Sequence, residues 1–350
     1  MVVREPVEEL NERQQDILAI VVQEYTATVT PVGSQNIAEQ YDLGVSSATI
    51  RNEMASLEES GYLTHPHPSA GRVPTDKGYR YFVERLLGEV ELSPSEKRTI
   101  LHQFHQVYLD LGQWMRLAAA VLANSAQSAA LVTTPKAIYC RYKHLELLST
   151  SETMILMILI LQEGTVKQQM LVNPQPPLSQ EDLNRSANKL NDLLEGCTAR
   201  GIGRRVLSLT AFEQQVAEQV VELMKRVDRG TNGEICRDGL IHIFRQPEFA
   251  EADKIEQVVQ GMEQRFILDE LLAETIASSG VQVFIGGEGR WQEISDLSLI
   301  LSRYGVTELA CGVLGVWGPM RMPYGRAIST VRYVANLMDD LVSQFFGYEP

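Results

Sequence analysis

The sequence predicts a multidomain α+β chain: an N-terminal winged helix-turn-helix, followed by one α/β domain that carries an insertion. Three observations point there. Two short helical segments meet at a glycine-containing turn within residues 34–60 and run into a hairpin-sized stretch. Strand-like apolar segments occur early, at 143–172, and late, at 281–317, with helical periodicity between them. And 350 residues exceed what one ordinary core holds, so two or three domains are expected.

Leu10–Ala27 reads as a helix, with Ile17, Leu18, Val21, Val22 and Tyr25 at spacings of three and four. Thr30-Pro31-Val32-Gly33 breaks it. Ser34 is an N-cap for a short helix to Gln40, Asp42-Leu-Gly-Val45 forms a tight turn, and Ser46 caps a second helix to about Ser60, stopped by Gly61. On that second helix Ile50, Met54 and Leu57 form the core stripe. The opposite side presents Ala48, Asn52 and Ala55, flanked by Thr49, Arg51 and Ser56. Small residues allow close approach, and Asn and Arg make bidentate contacts with adenine and guanine edges in a major groove. A solvated face would have the same composition, so the helix alone leaves both readings open. The next segment favours the groove. Tyr62-Leu63-Thr64 and Val73 are short strands around the loop HPHPSAGR, whose His65, His67, Ser69 and Arg72 suit phosphate or a minor groove. Thr75 then caps a helix bearing Lys77, Tyr79, Arg80, Tyr81, Phe82 and Arg85.

Charge restricts how DNA would be met. The chain has 31 Lys and Arg against 45 Asp and Glu, net −14. Residues 1–90 contain seven basic and fourteen acidic side chains, a balance of −7, so any DNA contact must be confined to one edge. The same balance keeps a competing class in play, a winged helix that binds another protein.

Beyond residue 90 the expectations are coarser. Residues 91–130 read as helical, with a start at Ser93-Pro-Ser95. Lys143–Ser149, Thr153–Leu161 and Val166–Val172 read as strands, and helices are expected over 179–196, 211–227 and 253–276. Strands return at 281–285 and 311–317, before a final helix at 327–344. The eight-residue run Met154–Leu161 is far short of the roughly 20 residues that span a bilayer. It reads as a buried strand and an aggregation hazard if uncovered. The polar N-terminus lacks an apolar signal region, and four scattered cysteines fit a reducing cytoplasm, so a cytoplasmic protein with no membrane segment is expected.

Enzyme readings find little support. Gly286-Gly-Glu-Gly289 and Gly312…Gly315…Gly318 fit neither dinucleotide nor P-loop spacing and read as turn glycines. His102 and His105 share a helix face but lack a sequence-evident third ligand. No nucleophile or zinc-protease motif occurs. No catalytic residue, metal site or cofactor is therefore expected.

The stretches VSSATIRNEMASLEESGYL and HPHPSAGRVPTDKGYRYFV closely resemble the HrcA family of heat-inducible transcription repressors, as do Ile285-Gly-Gly-Glu288, Ser298-Leu-Ile300 and Gly318-Pro-Met-Arg-Met322. Gly289 and Met320 depart from the family pattern. The resemblance implies a winged helix at 1–90, a helical linker at 91–142, a GAF-like domain from 143–174 and 279–350, and an inserted dimerisation domain at 175–278. It also implies a homodimer on double-stranded DNA, at the CIRCE inverted repeat upstream of chaperonin and DnaK-type operons, with the chaperonin GroEL as modulator. Ser47, Thr49, Arg51, Asn52, His67, Ser69, Arg72, Lys77 and Arg80 are the expected DNA contacts. Because GAF-like domains often bind small molecules, a ligand-sensing regulator is the alternative.

Overall fold

The computed structural model describes residues 9–67, 70–107, 110–136, 139–162, 164–203, 209–229, 235–249, 255–256, 265–286, 294–306 and 310–345. Two compact units emerge. The first comprises 1–135, 233–306 and 311–350; the second is 136–232 with 307–310.

The first unit begins with α1 (Glu12–Thr28), which starts at a capping box: Asn11 Oδ1 accepts from the Gln14 amide at 2.9 Å. After α2 (Ser34–Gln40), α3 (Ser47–Glu59) is capped by Ser46 and buries Ile50, Met54 and Leu57, the stripe its sequence predicts. Gly61, at φ +77°, ends it in the left-handed conformation that glycine tolerates. Strands β1 (Leu63–Thr64) and β2 (Val73–Pro74) pair antiparallel, and Val32 bridges Arg72 on the far side. With α4 (Asp76–Tyr81) and a π-turn at Phe82–Leu86, this is a winged helix.

The remainder of this unit is a five-stranded sheet of order β7-β3-β10-β9-β8, formed by β3 (Ala129–Thr133), β7 (Ile235–Asp238), β8 (Val281–Ile285), β9 (Leu297–Val306) and β10 (Ala310–Pro319). Side chains alternate across it. Val132, Ile300, Leu314 and Val316 join the core shared with α5 (Pro94–His105), α6 (Leu111–Ala126), the C-terminal helix Tyr324–Phe345 and the winged helix. Leu131, Leu299, Leu301, Val313 and Trp317 face a second core, with Phe249 and the Arg265–Ala277 helix. The glycines at 312, 315 and 318 lie inside β10, not in turns as expected. A Cβ on Gly315 would stand 2.1 Å from the Ile300 carbonyl oxygen, so close packing with β9 excludes any side chain there.

The second unit is a three-stranded antiparallel meander, β4 (Tyr142–Ser151), β5 (Met154–Leu161) and β6 (Val166–Val172), covered on one face by α7 (Gln180–Leu194) and α9 (Ala211–Arg229), with the short α8 (Ala199–Ile202). Asn191 fixes α7 to β4: its Oδ1 accepts from the Leu145 amide at 2.8 Å and from the Tyr142 hydroxyl at 2.7 Å.

This arrangement corrects the expected domain boundaries. Residues 143–172 form a separate sheet with the helices that follow, whereas the sequence reading joined them to 281–317. Hairpin closure makes their pairing local, and Leu145, Leu147, Ile155, Met157 and Leu159 bury against Leu183, Leu190, Val216 and Val220. Residues 91–142 are no linker either, because α6 and β3 are central to the first unit. Of the helical span expected at 253–276, Arg265–Ala277 is helical and most of the rest lies outside the described residues. No helix among the described residues is long and apolar enough to cross a membrane.

Candidate nucleic-acid interface

The N-terminal half of α3 presents Ser47, Ala48, Arg51 and Asn52 to solvent, with Thr49 half-buried beside them. Ser46 Oγ accepts from the Thr49 amide at 3.3 Å and lies 3.1 Å from the Thr49 hydroxyl, so Thr49 is part of the cap. Among the described residues neither Arg51 nor Asn52 has a hydrogen bond or ion pair, and both side chains are free to reach outward. A helix N-terminus also directs unpaired amides and positive partial charge at whatever approaches, which favours phosphate.

Two of the acids on α3 have partners. Glu53 faces Arg13 at 3.5 Å. Glu58 receives Arg72 Nη2 at 2.7 Å and the His65 ring on its other oxygen. Burial works to raise the Glu58 carboxyl, but the hydrogen bonds and charge of His65 and Arg72 together carry it below its usual value.

The expected contacts therefore separate into two groups. Ser47, Thr49, Arg51 and Asn52 are gathered on one exposed surface. His67 is exposed on the wing, with its carbonyl accepting from the Ala70 amide at 2.9 Å, and Ser69 lies outside the described residues. Arg72, Lys77 and Arg80 are engaged elsewhere. Arg72 sits at the wing base, paired with Glu58 and bridged to Val32 through its backbone. Lys77 Nζ donates to the Ser60 carbonyl at 2.8 Å and lies over the Tyr62 ring, 4.4 Å from its centroid. That places it at the C-terminal end of α3, about 20 Å from Ser47 at 1.5 Å per residue. Arg80 Nη2 donates to the Val283 carbonyl in β8 at 2.8 Å, and Nη1 lies 3.6 Å from Glu84.

The motif SAGRVPTDKGYR is thus largely a clasp that builds the wing. A Cβ on Gly71 would stand 2.5 Å from the Val32 carbonyl carbon and oxygen, and one on Gly78 2.2 Å from the Tyr62 carbonyl oxygen. Thr75 caps α4 and also donates its hydroxyl to the Gly61 carbonyl at 2.6 Å. Sequence reasoning missed Glu58, whose two partners lie seven and fourteen residues away, and gave Arg321 no role.

No group of three or more His, Cys, Asp or Glu side chains suited to a metal occurs among the described residues. His102 and His105 are both exposed, with His102 bonded to Gln106 at 2.9 Å.

An exposed recognition helix, a wing clamped at its base and an attached α/β body define a winged-helix transcription regulator. Two family models match: "Winged helix-turn-helix transcription repressor, HrcA DNA-binding" over residues 9–85, and "HrcA protein C terminal domain" over 112–328. The chain is 47% identical over 346 residues to the heat-inducible transcription repressor HrcA of Herpetosiphon aurantiacus, covering 97% of each chain. It is 45% identical over 349 residues to that of Roseiflexus castenholzii, again covering 97% of each. The chain belongs to the HrcA family. A crystal structure of a hypothetical protein shares the fold at a TM-score of 0.57 and 23% identity, covering 97% of this chain and 100% of that one.

Proposed function

We propose that the chain is a dimeric repressor of heat-shock chaperone operons, bound to the CIRCE inverted repeat and relieved on heat shock, with the chaperonin GroEL as modulator. The observation that carries the DNA reading is the exposed, unpaired Arg51 and Asn52 at the N-terminal half of α3, with Glu53 and Glu58 on the same helix tied to cations. Arg51 and Asn52 read base edges; Ser47, Thr49 and the wing residues His67 and Ser69 approach phosphate. Arg72, Lys77 and Arg80 hold the frame that presents them.

The dimer reading has support of its own. Strand β5 is apolar on both faces. Ile155, Met157, Leu159 and Leu161 are buried against α7 and α9, whereas Met154, Leu156, Ile158 and Ile160 point to the outer face. Their cross-strand neighbours there include Leu148, Val166, Met170 and Val172, exposed by 41, 52, 46 and 65%. An apolar sheet face of this extent marks an interface, and a second copy of the chain is the occupant that gives the two-fold symmetry of an inverted repeat.

The test is binding of the purified chain to a CIRCE-type duplex and a scrambled duplex across a salt series. A steep salt slope with strong preference for the inverted repeat is expected. Equal, weak binding to both, unchanged by added chaperonin, would sink the proposal.

A further inference from the structure

The turn between β10 and the C-terminal helix carries Arg321, whose side chain is only 12% exposed. Its guanidinium is two-pronged on Glu248, through Nε to one carboxylate oxygen and through Nη2 to the other at 3.0 Å. Nη2 also donates to Gln246 Oε1 at 2.6 Å. Nη1 reaches the Thr26 carbonyl at 3.3 Å. Thr26 is in the last turn of α1, where carbonyls have no partner within the helix. One guanidinium therefore joins three pieces: the turn after β10, the 246–249 segment with its short 3-10 turn, and the end of the first winged-helix element. The planar fork of five donors makes this possible, and a lysine has no equivalent geometry.

The surroundings make the contact a seam. Tyr79 of α4 packs on Tyr324 with ring centroids 5.9 Å apart, and its buried hydroxyl has no hydrogen-bond partner among the described residues. Arg80 crosses to the Val283 carbonyl, and the Asp76 carboxylate abuts Gly286, where a Cβ would stand 2.4 Å from Asp76 Oδ2. Both ends of α4 and the end of α1 are thus fastened to the sheet body, while the exposed half of α3 stays open.

We propose that Arg321 is a positioning residue for operator recognition: it locks the winged helix on the α/β body so that two recognition helices in a dimer keep one fixed separation. The inference rests on the reading of the chain as a dimeric repressor of a two-half-site operator. Half-site spacing is a geometric demand on the protein, and a winged helix free to swivel loses the benefit of simultaneous engagement.

The experiment uses the full chain and three duplexes in a fluorescence anisotropy titration: the operator, the same half-sites moved apart by about 5 base pairs, half a helical turn, and a single half-site. The wild-type chain should bind the operator far better than the respaced duplex. Arg321→Met, which keeps bulk without donors, should lose about 10- to 100-fold on the operator, bind the single half-site as wild type does, and respond weakly to spacing. Glu248→Gln, a milder change that keeps shape, should show the same pattern at smaller size and decides the matter if Arg321→Met does not fold. Equal losses on all three duplexes, or operator binding like wild type in a folded variant, overturn the inference alone. A wild-type chain that, in the salt-series test, fails to distinguish operator from scrambled duplex sinks the repressor reading, and this inference with it.

Discussion

Arg51 and Lys77 carry the same charge in the same small domain, yet their surroundings assign them different work. Arg51 is exposed, without a partner among the described residues, at the end of α3 proposed to read bases, so Arg51→Ala should cost about 1–3 kcal/mol of operator affinity and relax base preference. Lys77 donates to Ser60 and covers the Tyr62 ring. Lys77→Ala should therefore lower the melting temperature slightly and leave the ratio of operator to random binding unchanged. Titrating both variants against both duplexes checks the pair, and a larger specificity loss for Lys77→Ala would reverse the assignment. Asp339 yields a pH prediction. Its Oδ1 accepts from the Gly305 amide at 2.5 Å, but burial outweighs that bond and pushes the carboxyl up to about 6. A carboxyl raised in the folded state favours folding most when protonated. Its contribution is complete below the ordinary value near 3.8 and is lost as the pH rises through about 6. Asp339→Asn, which keeps the acceptor, should raise the melting temperature at pH 7.5 and change nothing at pH 3.5; an equal gain at both values would refute the burial argument.

At the level of elements, the wing shows what a motif means physically. Gly71 lies against the Val32 backbone and Gly78 against the Tyr62 carbonyl, so neither position has room for a methyl group. Gly78→Ala should destabilise the chain by about 1–3 kcal/mol through overpacking, read as a lower denaturation midpoint, with Gly88→Ala as a control in open space. An unchanged midpoint for Gly78→Ala would mean that the clasp yields more easily than its distances indicate. The winged helix was legible in the sequence because its signals are local: caps at Ser46 and Thr75, the stripe Ile50, Met54 and Leu57, and a glycine stop at 61. The exposed face of α3 was legible for the same reason, since it stands about half a helical turn from the core stripe. The fates of Arg72 and Arg80 were not, because Glu58 and Val283 stand 14 and 203 residues away in the chain. The body was misassigned where pairing is long-range. Strand β7 has four residues and no alternation to betray it, yet it pairs with β3 across a separation of about a hundred residues. Strand β5 announces itself by composition, but nothing in an apolar run says which sheet it joins. Once paired between β4 and β6 it is a central strand, and its backbone edges are no longer open to aggregation.

Across the whole molecule, the proposed dimer would make a modest reading surface act twice. The N-terminal ninety residues carry a net −7, so a single α3 offers little electrostatic affinity, and in the proposed dimer two half-sites engaged together supply the rest. In that reading the outer apolar face of β5 is the dimer contact, and it can be removed without touching the inner core. Leu156 lies on the outer face between Leu148 and Met170, both exposed, whereas its neighbours Ile155 and Met157 are fully buried on the inner face. Leu156→Glu, or Met170→Glu as a second choice, should therefore convert the chain to a monomer by analytical ultracentrifugation with little change in melting temperature. The same variant should keep wild-type affinity for a single half-site and lose about 100-fold or more on the full inverted repeat. Arg321→Met should differ in one decisive respect, remaining a dimer while losing the operator. The two substitutions together separate having two recognition helices from having them correctly spaced. A Leu156→Glu chain that stays dimeric and binds the inverted repeat like wild type would place the dimer contact elsewhere and leave the outer face of this sheet to another partner.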